Sequence, residues 1–231
     1  MAKISYESSC WMDSKPLTSP EQKDYKYAYK LAYQLACEQL VKINDIEQQC
    51  RKSGTQYQVV GSEKAIVIQY LNQSYIITLP DIKISLVDST EKIPIRDKLL
   101  ILHYFNSAKG TPPTNRLITF RDLPEGSVYS PTFSQRTIKP ILDHFGKEPH
   151  LLVDAGAKLG GHNADYGDIA VTIDAFSRVS ITIILWGGDD ELTPQGNVVF
   201  DANIPDYLPA EDITVLCETI TWRLIRYLRA A

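Results

Sequence analysis

A change of hydrophobic period constrains this chain more than any other feature. Between Tyr57 and Val87 the apolar residues fall into short runs at 57–60, 65–71, 75–79 and 82–87. Gly61-Ser62, Asn72-Gln73 and Pro80-Asp81 separate them. Short runs rich in β-branched and aromatic side chains, split by turn residues, read as an antiparallel meander. On either side the period is helical. Ala28, Leu31, Ala32, Leu35, Ala36, Leu40 and Ile43 share one face of a long helix. Ser19-Pro20-Glu21-Gln22 supplies its start, with Ser19 as the cap and Pro20 in the first turn. Residues 44–53 read as a further helical stretch stopped at Gly54.

Pro94 opens a second helix through Ile95, Leu99, Leu100, Leu102, His103 and Phe105, ending near Gly110. A short strand is expected at 117–120, helices at 134–145 and 149–159, and strong strands at 168–173 and 179–186. Pro209 starts a closing helix with Ile213, Leu216, Cys217, Ile220, Leu224, Tyr227 and Leu228 on one face. Glu211 and Asp212 at its start and Arg223, Arg226 and Arg229 toward its end complement the helix dipole. Strands come in runs rather than alternating with helices, which indicates an α+β fold. The expected arrangement is antiparallel sheet packed against a long N-terminal helix, a central buried helix and a C-terminal helix. Residues 1–18, polar and aperiodic, read as an N-terminal arm, and residues 19–231 as a single α+β domain.

Charge narrows the partners. The net charge of −4 argues against nucleic acid, whose binding draws on clustered Lys and Arg. The apolar runs near 99–102 and 181–186 are far too short to span a bilayer, and the N-terminus has no signal-peptide core. A soluble, cytoplasmic protein is expected. Cys10, Cys37, Cys50 and Cys217 lie far apart, without the close spacing of iron–sulfur or zinc sites, and read as buried or idle thiols.

The second half of the chain reads FRDLPEGSVYSPTF, LGGHNADYGDIAVTI, ILWGGDDEL and VVFDANIPDYLPAEDI, in that order. This ordered series, with the preceding LLILHYFNSAKG, resembles the domain of unknown function 3786 family over about residues 20–228. The resemblance implies a setting in strict anaerobes, near corrinoid or one-carbon metabolism, with a partner protein from that metabolism. Some members carry a cysteine-rich iron–sulfur segment that this chain lacks. It also departs from the family at Ser177-Arg178-Val179-Ser180, where a proline-containing stretch is replaced, and at Leu192-Thr193.

His103 is the leading candidate for chemistry. It lies on a helix apolar nearly all round, and such a helix is buried. A buried imidazole needs a partner on its nitrogens: a carbonyl, a carboxylate or a metal. Axial ligation of a heme or a corrinoid such as cobalamin uses one imidazole nitrogen in an apolar cleft. His162 follows Gly160-Gly161, where glycine allows close approach of a ligand or a sharp turn. The candidate cofactor-binding set is His103, Tyr104, Gly160, Gly161, His162 and Trp186, with His103 and His162 as candidate metal ligands. His144 and His150 flank an apparent helix end and suit its dipole. Asp165 and Asp168 could join His162 around a cation, as could Asp189, Asp190 and Glu191 at a strand end. Tyr25, Tyr29 and Tyr33 form a stripe on which a flat ligand could stack.

Three functions fit these residues. The first is a cofactor-binding protein holding a tetrapyrrole through a histidine. The second is a metal-dependent hydrolase using the acidic residues and His162. The third is a maturation or scaffolding factor with no site. P-loop, GxGxxG, GxSxG and HExxH motifs are absent, as is the DxHxxG loop of the usual corrinoid module.

Overall fold

The computed structural model describes residues 20–60, 63–188 and 192–230. The expected arm at 1–18, the cap Ser19 and the run Asp189-Asp190-Glu191 lie outside them. Helix α1 spans Pro20–Val41 and α2 spans Ile46–Ser53. Asp45 caps α2 by accepting from the Gln48 N–H at 2.8 Å. Gly54 ends it with φ of 67°, a left-handed conformation that costs other residues a Cβ clash. The meander follows as β1 (Gln56–Val60), β2 (Glu63–Tyr70), β3 (Gln73–Leu79) and β4 (Lys83–Leu86).

Helix α3 spans Ile95–Ser107, followed by β5 (Leu117–Thr119) and α4 (Gly126–Phe133). The expected helix at 134–145 is divided: a π-helical turn covers Ser134–Ile138 and α5 covers Lys139–Phe145. Then come α6 (Leu151–Ala157), β6 (His162–Ala164), β7 (Ile169–Phe176), β8 (Val179–Trp186), β9 (Gln195–Asp201) and α7 (Ala210–Ala230).

The described strands form a nine-stranded sheet in the order β4-β3-β2-β7-β8-β9-β5, with β1 on β2 and β6 on β7. Every pairing is antiparallel. The meander joins β7 through the pair Tyr70↔Phe176 and a bond from the Leu71 N–H to the Ala175 carbonyl at 3.0 Å. A bulge between Asp174 and Phe176 lies at that junction. Such an extra residue bends a strand, and here it sits where the two halves of the sheet meet.

Side chains alternate across a strand, so one face of the sheet carries Ile66, Ile68, Ile77, Ile173, Ile183, Leu185 and Phe200 into the main core. Each such burial is worth about 1.5–3 kcal/mol. On the opposite face Ala170, Ile184 and Val199 form a small separate cluster. Helix α3 lies on the core side. Tyr104 stacks on Phe176 with ring centroids 4.1 Å apart, and Phe176 stacks on Tyr70 at 4.9 Å. The Gln49 side chain ties α2 beneath α3, donating to the carbonyls of Phe105 at 2.6 Å and Ala108 at 3.0 Å. Helix α7 runs antiparallel to α3, with Arg96–Glu218 at 3.8 Å toward one end and His103–Asp212 at 2.7 Å toward the other.

Candidate functional site

His103 lies on α3 where that helix runs beside α7. Leu99, Leu100, Ile101, Leu102, Tyr104 and Phe105 bury three sides of α3, and Leu216, Ile220 and Leu224 bury the facing side of α7. His103 is thereby left on the seam and keeps 28% of its side-chain exposure. It is not the enclosed imidazole that the apolar helix implies, because the seam between α3 and α7 stays open to solvent at their polar edge.

Its Nδ1 lies 2.7 Å from Oδ2 of Asp212, whose side chain is 11% exposed. Asp212 stands in the first turn of α7, where unpaired backbone N–H groups favour a carboxylate. An ionised carboxylate only accepts, so the proton of this pair sits on Nδ1 of His103 and donates to Asp212. The lone pair of a neutral ring then lies on Nε2. Among the described residues Nε2 has no hydrogen-bond partner. A carboxylate on one nitrogen and an uncommitted second nitrogen form the arrangement that orients metal-binding histidines.

Among the described residues the other candidates do not gather around this pair. Tyr104 is fully buried, its hydroxyl donating to the Ser53 carbonyl at 2.5 Å and accepting from the Arg178 N–H at 3.1 Å. Burial pushes its pKa well up, and its place is in the aromatic stack. Gly160 has φ of 72°, and a Cβ there would stand 2.9 Å from Cγ of Asn72. A Cβ on Gly161 would meet the Gly156 carbonyl and Val171 at 2.9 Å. Packing against α6 and the β2–β3 turn therefore accounts for both glycines.

His162 is exposed and opens β6, and Trp186, 41% exposed, closes β8. His162 pairs with Thr172 and Thr172 with Thr182, so Trp186 lies two strands across and four residues along, on the order of 15 Å away. Both share the sheet face of Ala170 and Ile184, opposite α3. Asp168 is likewise four residues along β7 from the His162 partner, about 13 Å. Asp168 accepts from the Gly187 N–H at 2.8 Å and holds the end of β8. Among the described residues no group of three His, Cys, Asp or Glu side chains converges to hold a bare ion. Tyr29 and Tyr33 pack partly buried against the core, while the Tyr25 side chain lies outside the described residues.

The other two histidines and the described thiols lie away from the His103–Asp212 pair. Nδ1 of His144 donates to the Pro140 carbonyl at 2.8 Å and Nε2 accepts from Arg229 at 3.2 Å, which ties α5 to α7. His150 is exposed just before α6. Burial pushes the thiols of Cys37, Cys50 and Cys217 up in pKa, so they stay protonated. Two cavities flank the Phe120–Phe133 segment, one of about 560 Å³ and one of about 330 Å³, and His103 lines neither. No described helix is long and apolar enough to cross a membrane.

The fold is that of an α+β protein whose antiparallel sheet carries its helices, among them the His103 pair, on one core side. The chain belongs to the family of the domain of unknown function DUF3786, whose model matches residues 45–223. That span includes both members of the His103–Asp212 pair. No curated protein and no solved structure matches the chain.

Proposed function

We propose that this protein binds a tetrapyrrole, a corrinoid or a heme, with Nε2 of His103 as an axial ligand and Asp212 holding the ring. The observation that carries the reading is the 2.7 Å contact between Nδ1 and Asp212 with Nε2 left uncommitted. The donor set fits a metal that arrives already chelated. A bare zinc ion takes about four ligands, and beside His103 the described residues offer it the Asp212 carboxylate alone. A macrocycle brings its own equatorial nitrogens and asks the protein for one more.

When bound, such a group supplies a redox-active metal centre. The chain's own part is to hold the imidazole in one tautomer and one orientation. The partial exposure of His103 suits exchange with another protein, and the family setting suggests a partner from anaerobic corrinoid or one-carbon metabolism. The reading is thus of a cytoplasmic cofactor-handling protein without a catalytic group of its own.

Titration with heme and with aquocobalamin, followed by visible absorption, tests it. A saturable band shift that His103→Ala abolishes and His162→Ala leaves intact is expected. No shift with either compound, or a shift unchanged in His103→Ala, rules the reading out.

A further inference from the structure

The larger cavity, about 560 Å³, has a lining that none of the preceding functions uses. Ligand cavities are commonly about 300–1,000 Å³, so its size admits a small organic molecule. Arg121, Ser130, Ser134 and Asn197 line it, together with Phe133 and Ile138. Among the described residues its lining contains no carboxylate. Among the described residues, the side chains of Arg121, Ser130 and Ser134 have no hydrogen-bond or ion-pair partner. The carboxylate next to Arg121, Asp122, feels the Arg121 charge but spends its hydrogen bonds on the N–H of Thr119 at 2.8 Å and its hydroxyl at 2.7 Å. Oδ1 of Asn197 accepts from the Val198 N–H at 2.9 Å, which leaves its amide NH₂ to donate.

The backbone at this wall is unusual as well. Pro131 sits inside α4 and cannot donate, and the chain passes directly into the π-helical turn Ser134–Ile138. The Thr137 hydroxyl takes up the Phe133 carbonyl at 2.6 Å. Widened turns of this kind occur often at functional sites, and here both end residues, Ser134 and Ile138, line the cavity.

We propose that this cavity binds a phosphate monoester of a small organic molecule. Arg121 supplies the charge, Ser130, Ser134 and Asn197 supply neutral donors, and Phe133 and Ile138 contact the apolar portion. A guanidinium engages two oxygens at once, and a phosphate has a further terminal oxygen for the hydroxyl and amide donors. A carboxylate has only the two.

Calorimetric titration of the full chain with phenyl phosphate, inorganic phosphate and benzoate is the test. Phenyl phosphate is expected to saturate and to bind more tightly than either other compound. Arg121→Gln, at an exposed position, is expected to weaken it about tenfold or more, and Ser134→Ala about threefold. His103→Ala should bind phenyl phosphate as the wild type does, so the outcome is independent of the tetrapyrrole reading. Thermal melts of each variant confirm that it is folded. Absence of saturation, equal binding of benzoate, or wild-type affinity in folded Arg121→Gln overturns the proposal.

Discussion

Nη2 of Arg223 lies 2.8 Å from Oδ2 of Asp97, and the pair locks α7 onto α3 in the interior. The two side chains are 14% and 5% exposed. The Tyr70 hydroxyl donates to the other Asp97 oxygen at 3.2 Å, and the Arg223 guanidinium lies 5.5 Å from the Tyr70 ring centroid. Burial, reinforced by the neighbouring Asp97 charge, pushes the Tyr70 pKa well up, so the hydroxyl keeps its proton. Replacing Arg223 with Met leaves the Asp97 charge buried without its cation. Removing one partner of a buried pair costs about 3–5 kcal/mol. Arg223→Met is therefore expected to lose about that much in urea unfolding, and the double variant Arg223→Met/Asp97→Leu to recover much of it. An unaltered midpoint in the single variant would contradict this.

Gly126 begins α4 under the Phe120 carbonyl, where an added Cβ would stand 1.9 Å from that oxygen. The obstacle is backbone, which cannot turn aside as a side chain could. Gly126→Ala is expected to cost about 3 kcal/mol, the upper range for overpacking, measured as a lowered unfolding midpoint. Alanine favours helix over glycine by about 1 kcal/mol, so stabilisation would be the outcome if local propensity dominated.

Asp201 fastens the loop before β5 to the end of β9. It accepts from the Asn115 N–H at 2.7 Å, the Thr114 hydroxyl at 2.8 Å and the Asn203 N–H at 2.9 Å. Partial burial raises its pKa, but the hydrogen bonds from Asn203, Thr114 and Asn115 outweigh that, and the net shift is downward. A folded pKa below the unfolded value of about 3.9 contributes stability that is complete above that pH. The contribution disappears as pH falls through the folded value. Asp201→Asn is expected to be less stable by about 0.5–1 kcal/mol at pH 7, since solvent screens this partly exposed carboxylate, with the gap closing below about pH 4. Thermal melts across pH 3–7 measure it, and a gap that widens on acidification would contradict the sign.

Asp212→Asn keeps the shape of the His103 partner and removes its charge. Loss of such a supporting carboxylate typically costs about 10–100-fold in metal affinity. The apparent affinity for whichever tetrapyrrole binds is expected to fall by that factor, with the absorption band of the axial complex still forming at saturation. Wild-type affinity would show that Asp212 plays no orienting part.

The meander, α1, α3, β8 and α7 were legible because each carries a sustained period of one kind. Helix α4 was not, since Gly126 and Pro131 are poor helix formers and tertiary packing holds the segment in place. β9 was hidden because Gln195-Gly196-Asn197 lack apolar alternation at its start. His103 stood out in the sequence, but its partner did not. Asp212 reads as a helix-dipole residue, and only the antiparallel approach of α3 and α7 brings the two together across 109 positions. For the paired glycines the sequence offers close approach of a ligand or a sharp turn, and within the chain it is Asn72 and α6 that lie against them. Of the donors of the larger cavity, Arg121, Ser130 and Ser134 lie within one short segment, and only the fold brings Asn197 of β9 to them.

Pulsed electron paramagnetic resonance, on protein labelled with ¹⁵N-histidine and loaded with a paramagnetic iron or cobalt tetrapyrrole, tests the axial bond most directly. A strong coupling of the metal to one ¹⁵N nucleus is expected in the wild type and in His162→Ala, and its loss in His103→Ala. A loaded protein with no ¹⁵N coupling, or with coupling that persists in His103→Ala, would contradict the axial assignment.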